Sequence, residues 1–196
     1  MNAAGLILAG GASTRMGAPK ALLDFDGETF LDRLIRIFSA ECSSVTVVLG
    51  HDPDTIQSGL RRAGKARFTI NPRYESGQLS SLQCGLREVP EDASAVLFMP
   101  VDYPGIEPGT VRRIVSAFQP GDSFVVPRFE GRRGHPILFS SHLIPEFLAL
   151  RPEAQARDVV HRHVAATRYL DTDDPCILRD VDDREAYAAL LRSHSK

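Results

Sequence analysis

The sequence predicts an α/β fold in three layers, with helices on both faces of a mostly parallel central sheet. Two patterns carry that prediction. Short apolar runs of strand length alternate with segments of helical period, and each run is bounded by Gly, Pro, Asn or Asp, the residues that punctuate strands. A third observation sets the scale: 196 residues, 43% hydrophobic and 24% charged, suit one domain spanning 1–196 that buries its own core.

Ala3–Ala9 (AAGLILA) opens the sheet, and Val45–Gly50, Ala66–Ile70, Ala95–Met99 and Phe124–Pro127 follow as core strands. Between them, Thr29–Ala40 places Phe30, Leu31, Leu34, Ile35 and Phe38 on one helical face, and Leu79–Val89 does the same with Leu79, Leu82, Leu86 and Val89. Glu107–Phe118 is a third helix, with Pro108 suited to its first turn. Right-handed crossovers put these helices on both faces, a doubly wound, Rossmann-like arrangement. Beyond Arg128 the pattern changes. Arg132–Phe139 reads as a strand, Ser141–Leu150 and Glu153–His163 as helices, Thr167–Leu170 and Ile177–Val181 as short strands, and Arg184–Arg192 as a closing helix. No repeat or linker divides the chain.

Composition narrows the function. With 23 basic against 25 acidic side chains the formal charge is −2, so there is no general electrostatic reason to bind nucleic acid or an anionic membrane. The apolar start lacks a basic n-region and runs into Gly10-Gly11, which makes it a buried strand rather than a leader. Nowhere do ~18 apolar residues follow one another, which excludes a transmembrane helix. Cys42, Cys84 and Cys176 form no CxxC pair, and three well-separated cysteines suit a reducing, cytoplasmic compartment.

In open parallel sheets ligands bind beyond the carboxyl ends of the strands, so five junctions matter most. After the first strand, Leu8-Ala9-Gly10-Gly11-Ala12-Ser13-Thr14-Arg15-Met16-Gly17-Ala18-Pro19-Lys20 combines glycines that admit close backbone approach, hydroxyl donors and two cations: the chemistry of a polyphosphate cradle. It is neither GxxxxGK[ST] nor GxGxxG. Asn71-Pro72-Arg73-Tyr74-Glu75-Ser76-Gly77-Gln78-Leu79-Ser80-Ser81 ends in a hydroxyl-rich helix start that suits a base edge or ribose, unless Ser80 and Ser81 serve only as caps. Met99-Pro100-Val101-Asp102-Tyr103-Pro104 holds one carboxylate beyond a buried strand, where it suits a divalent metal against phosphate. Gly131-Arg132-Arg133-Gly134-His135-Pro136 suits an anionic acceptor or a plain hairpin turn. Arg179-Asp180-Val181-Asp182-Asp183 supplies a second carboxylate: Asp182 as metal ligand, Asp183 equally plausible as helix N-cap, with Asp180 or Asp183 left open as sharing the metal.

Those motifs, in that order and spacing, resemble the molybdenum-cofactor nucleotidyltransferases and the wider NTP transferases of the same fold, from Gly5 to about Leu191. The resemblance implies the nucleotide-diphospho-sugar transferase type of sheet. It also implies that Gly10, Gly11, Arg15 and Lys20 hold the triphosphate, that the Gly77-Gln78-Leu79-Ser80-Ser81 stretch faces base and ribose, that Leu8, Ala9, Ser13 and Asn71 belong to the same nucleotide site, and that Asp102 and Asp182 bind Mg²⁺. Gly134 and His135 match a motif that borders the acceptor in the cytidylyl branch. Leu8-Ala9-Gly10-Gly11 looks more like the guanylyl branch, so the implied donor is CTP first and GTP second. The implied acceptor is an anionic phosphate, that of the molybdenum cofactor, with a molybdoenzyme or maturation factor as a possible recipient of the product. Arg15, Lys20 and Asp102 are the expected catalytic residues. A sugar- or alditol-phosphate nucleotidyltransferase and a nucleotide-binding regulatory protein are the alternatives. His51 after Gly50 is a lesser ligand candidate, and His161 and His163 read as a solvated helix face.

Overall fold

A computed structural model describes residues 1–194. In chain order the elements are β1 (Ala3–Ala9), the short hairpin β2 (Asp24–Phe25) and β3 (Glu28–Thr29), α1 (Phe30–Glu41), β4 (Ser44–Leu49), α2 (Pro53–Gly59), β5 (Arg67–Ile70) and α3 (Gln78–Leu86). The second half runs β6 (Ala95–Pro100), α4 (Pro108–Ala117), β7 (Phe124–Phe129), β8 (Arg132–Arg133), β9 (Ile137–Ser140), α5 (Ile144–Leu148), α6 (Arg157–Arg162), β10 (Thr167–Asp171) and α7 (Arg184–His194). The main sheet has the order β10-β7-β9-β6-β1-β4-β5, with β8 paired to β7. β4, β1, β6 and β5 run parallel, β10 runs parallel to β7, and β9 is antiparallel between β6 and β7. Among the described residues no helix is long and apolar enough to cross a membrane.

The alternation of side chains along β1 shows how the layers form. Ile7 and Ala9 join a core with Phe30, Leu34 and Phe38 of α1 and Ile114 of α4, while Leu6 and Leu8 join a second core with Leu82 of α3, Phe147 and Val159. Both faces of the central strand are buried, as a helix-covered parallel sheet requires. α1 starts where Thr29 Oγ1 accepts the Asp32 N–H at 3.0 Å. The buried Asp32 carboxylate also accepts the Arg61 and Arg62 N–H groups, which ties the loop after α2 to α1.

Four expected elements differ. The run 132–139 is two strands, because Gly134 and His135 turn their N–H groups out of register to Pro127 O (3.0 Å) and Ile177 O (2.9 Å) and Pro136 has none to offer. The helix expected from Glu153 begins only at Arg157, after Pro152 and after Asp158 Oδ2 captures the Gln155 N–H. The helix expected over 141–150 is a 3₁₀ turn at Ser141–Leu143 followed by α5. In place of a strand over 177–181, Pro175–Leu178 is a 3₁₀ turn begun by Asp174, whose Oδ1 accepts the Cys176 N–H. α2 lacked a readable apolar stripe: Ile56 is its one buried residue.

Helix α3 lies close on β1 and β4 because Gly85 has no side chain: a Cβ there would stand 2.4 Å from Leu6 Cδ1 and 2.7 Å from Val48 Cγ2. Gly85→Ala should cost about 1–3 kcal/mol by overpacking. Thermal unfolding checks this, at roughly 2–4 °C per kcal/mol for a chain of this size; an unchanged melting temperature would mean that α3 shifts freely.

Candidate functional site

The carboxyl ends of the parallel strands are locked together before any side chain takes part. Val101 N–H bonds to Leu8 O at 2.9 Å, His51 N–H to Gly10 O at 3.1 Å and Asn71 N–H to Leu49 O at 2.8 Å. Gly50 permits the second of these contacts, since a Cβ on it would stand 2.6 Å from Gly10 O and 2.4 Å from Tyr74 Cβ. Over this floor opens a cleft of about 360 Å³. Its walls are the first loop (Leu8 to Gly11, Ser13 to Arg15, Lys20), the start of α3 (Gly77, Gln78, Ser81), and Asp102 and Asp182.

Lys20 is the centre of the charge arrangement. Its Nζ lies 2.7 Å from Asp182 Oδ1 and 3.4 Å from Asp102 Oδ1, with the side chain only 11% exposed. The Arg15 guanidinium stands 3.5 Å from Asp182 Oδ2. Ser13, at φ +51°, turns the loop so that its Oγ accepts the Lys20 N–H at 3.0 Å. From the other end of the chain, Val181 N–H bonds to Asp102 O at 2.8 Å and brings Asp182 alongside. Asp183 Oδ1 accepts the Ala186 N–H in the first turn of α7, which makes Asp183 the cap, while Asp180 is exposed and outside the cleft walls.

The two carboxylates are tuned apart. Burial raises the Asp102 pKa against the pull of the Lys20 ammonium, whereas the Lys20 hydrogen bond holds Asp182 below the usual carboxylate range. Tyr103, beside Asp102, is pushed up to about 12 by burial and by the charges of Asp180, Asp102 and Asp182. The arrangement therefore offers two cations and two carboxylates around one cleft, with the charges satisfied by one another.

Several candidates fall elsewhere. Asn71 is buried, and its Nδ2 donates to Ser80 Oγ (2.9 Å) and Ser81 Oγ (3.0 Å) while its Oδ1 accepts the Arg73 N–H. Ser80 Oγ in turn bonds to the Arg73 and Gly77 carbonyls. Asn71 and Ser80 thus brace the loop from outside the cleft walls, and Ser81 alone of the pair lines them. Gly134 also lies off the cleft, pressed on Ile177, whose carbonyl oxygen would be 2.2 Å from a Cβ. His135 is closed in beside Tyr103 (ring centroids 4.8 Å) and Phe98 (5.9 Å), with a buried Nδ1 that has no hydrogen-bond partner among the described residues. His51 is exposed and faces the Tyr74 hydroxyl at 3.3 Å. His163 pairs with Glu146 at 2.7 Å rather than standing on a purely solvated face, and Cys42 is an inert thiol that burial pushes up to about 12. Tyr74 and Ile56 also line the cleft; Tyr74 was read only as part of its loop, and Ile56, on the unread α2, carried no sequence signal.

Burial lowers the His135 pKa from 6.5 to about 4. The unfolded chain thus binds the proton that the folded one refuses, so this group's contribution is complete above pH 6.5 and is lost as pH falls toward 4, by up to about 1.4 kcal/mol per pH unit. Denaturant titrations between pH 4 and 7 should show a shallower pH slope for His135→Gln than for the wild type; equal slopes would place the acid sensitivity in other groups.

The chain matches the model of the MobA-like NTP transferase domain over residues 5–167. It is 30% identical, across 95% of both chains, to a protein of Paenarthrobacter nicotinovorans named nicotine blue oxidoreductase. It is 40% identical over 104 residues to a probable molybdenum cofactor guanylyltransferase of Synechococcus elongatus, a stretch that covers 53% of this chain and 52% of that one. Among solved structures, Rv0371c of Mycobacterium tuberculosis in complex with manganese superposes with a TM-score of 0.82 at 27% identity, over 98% of this chain and 100% of that one. With its loop, its sheet order and this match together, the chain belongs to the MobA-like NTP transferase family of nucleotidyltransferases.

Proposed function

We propose that the protein transfers a nucleoside monophosphate from an NTP to the phosphate of the molybdenum cofactor and releases pyrophosphate. The observation that carries this reading is the buried Lys20 ammonium set between Asp102 and Asp182 in the wall of a glycine-lined cleft. GTP is the donor favoured by the name of the Synechococcus relative. CTP remains a second reading, because Ser80-Ser81-Leu82 and Gly134-His135-Pro136 resemble the cytidylyl branch. The oxidoreductase name is not extended to this chain, whose first loop lacks the GxGxxG spacing of dinucleotide sites.

Asp102 and Asp182 are the residues that would hold a divalent ion, Mg²⁺ on this reading. The donor set fits: Mg²⁺ takes one or two protein carboxylates and completes its shell with phosphate oxygens and water. Among the described residues no group of three or more His, Cys, Asp or Glu is arranged to hold a metal. The manganese of the Rv0371c complex supports a divalent ion in this fold. Bound there, such an ion would supply positive charge against the phosphates of the nucleotide.

In the reaction, an oxygen of the acceptor phosphate forms a bond to the α-phosphorus. The bond from that phosphorus to the oxygen bridging to the β-phosphate breaks, and its electron pair leaves with pyrophosphate. The acceptor phosphate is already ionised, so no general base is required. Arg15 and Lys20 turn from the carboxylates to the phosphates and neutralise the charge that develops on the departing group.

Pyrophosphate release, measured with Mg²⁺ and each of the four NTPs with and without molybdenum cofactor, tests the proposal. The expected result is cofactor-dependent release with one nucleotide, abolished in Asp102→Ala; no release with any of them overturns the reading. Lys20→Ala should lower kcat/KM by roughly 10²–10³, on the order of 3–4 kcal/mol of transition-state stabilisation. Asp182→Asn carries opposite signs: it loosens the hold on Lys20 and Arg15, so NTP should bind it more tightly than wild type in EDTA and more weakly in Mg²⁺. Calorimetric titration reads both, and weaker binding under both conditions would remove the carboxylate–cation exchange.

A further inference from the structure

The C-terminal segment meets the first loop on two sides. Met16 pins that loop, with a buried side chain and an N–H that bonds to Ser13 O at 2.9 Å. On one flank of Met16, Arg15 faces Asp182. On the other flank Gly17, at φ +72°, leaves room for Arg184: a Cβ on Gly17 would stand 3.1 Å from Arg184 Nη2. Helix α7 holds Arg184 at this place. Asp183 caps the helix, the Tyr187 hydroxyl donates to Asp24 O at 2.6 Å, and the Tyr187 ring meets Phe30 edge-on with centroids 5.7 Å apart. Yet the Arg184 guanidinium has no hydrogen bond or ion pair among the described residues. It also sits in the first turn of α7, where the helix dipole disfavours a cation. The acidic groups beside it in sequence are in use, Asp182 by Lys20 and Arg15 and Asp183 by the Ala186 N–H. A cation set against a glycine turn, against the dipole and without an acidic partner is placed for an anion from outside the chain.

We propose that Arg184 is a third phosphate-binding cation of this site and holds the terminal phosphate of the nucleoside triphosphate. The three cations are graded in depth. The Lys20 side chain is 11% exposed and touches both carboxylates, that of Arg15 is 68% exposed, and Arg184 is exposed at the rim, outside the cleft walls. The reacting α-phosphate belongs at the buried end, beside Asp102 and Asp182, so the phosphate chain runs outward past Arg15 toward Gly17. Arg184 has no partner to leave, and its planar fork turns to two oxygens of the last phosphate. The residue thereby reads the length of the phosphate chain: a triphosphate and the pyrophosphate cut from it reach Arg184, and a monophosphate does not. This rests on the transferase reading and adds to it the residue that decides which phosphorylation state of the nucleotide is taken.

Calorimetric titration of the full chain in Mg²⁺ with GTP, GMP and inorganic pyrophosphate tests the assignment, with CTP and CMP in place of the guanine pair if wild type takes CTP. Arg184→Ala should bind the triphosphate and pyrophosphate tenfold or more weakly than wild type, with monophosphate affinity and melting temperature unchanged. Arg184→Lys should recover part of the loss and Arg184→Glu should deepen it. Equal triphosphate binding by wild type and Arg184→Ala overturns the inference. So does an equal loss for triphosphate and monophosphate, which would make Arg184 only a prop for the loop. If Arg184→Ala melts early, Arg184→Gln, which keeps the length of the side chain, decides in its place. The readout does not involve turnover, so a protein with the expected binding pattern that releases no pyrophosphate overturns the transferase reading and upholds the role of Arg184. A wild type that binds neither triphosphate overturns both.

Discussion

A single buried ammonium joins three distant parts of the chain. Lys20 comes from the first loop, Asp102 from the end of β6 and Asp182 from the segment before α7, and the three meet within 3.4 Å. Two partly buried carboxylates side by side would repel and would each lose hydration. The ammonium between them offsets both costs, and it is held in turn by the Ser13 hydroxyl at its own backbone N–H. The curvature of the first loop, the position of Asp102 and the docking of the C-terminal segment therefore depend on one another.

The sheet makes that meeting geometrically possible. In a parallel sheet all carboxyl ends face one way, so the loops after β1, β4, β5 and β6 share one rim without special arrangement. Glycine sets the closeness. Gly50 lets the turn after β4 touch the first loop, and Gly85 lets α3 lie low enough on β1 and β4 for its first residues to wall the cleft. Asn71, fully used by Ser80, Ser81 and the Arg73 N–H, fixes the entry to α3 without touching the cleft.

How much of this was legible in the sequence follows from where the information sits. β1 and α1 were readable within a residue or two because periodicity is local: β1 is buried along its whole length and α1 buries one apolar face. The first loop was legible for the same reason, its glycines, hydroxyls and cations being contiguous. What stayed hidden was set by partners far along the chain. The backbone of Ile177, distant in sequence, meets Gly134 and His135, and the capture of the Gln155 N–H by Asp158 decides where α6 begins. The choice between Asp182 and Asp183 was undecidable from spacing, since both precede a helix; the hydrogen bond to Ala186 separates their roles.

The contact between Lys20 and Asp182 spans 162 positions of sequence. Closing so long a loop is entropically costly, and little compensates until the sheet between the two residues has formed. A ribosome emitting this chain thus exposes the glycine loop well before Asp102, and Asp102 well before Asp182. Until then Lys20 has only Asp102 to pair with, and the rim acquires its final charge balance when the segment that carries Asp182 settles beside Asp102.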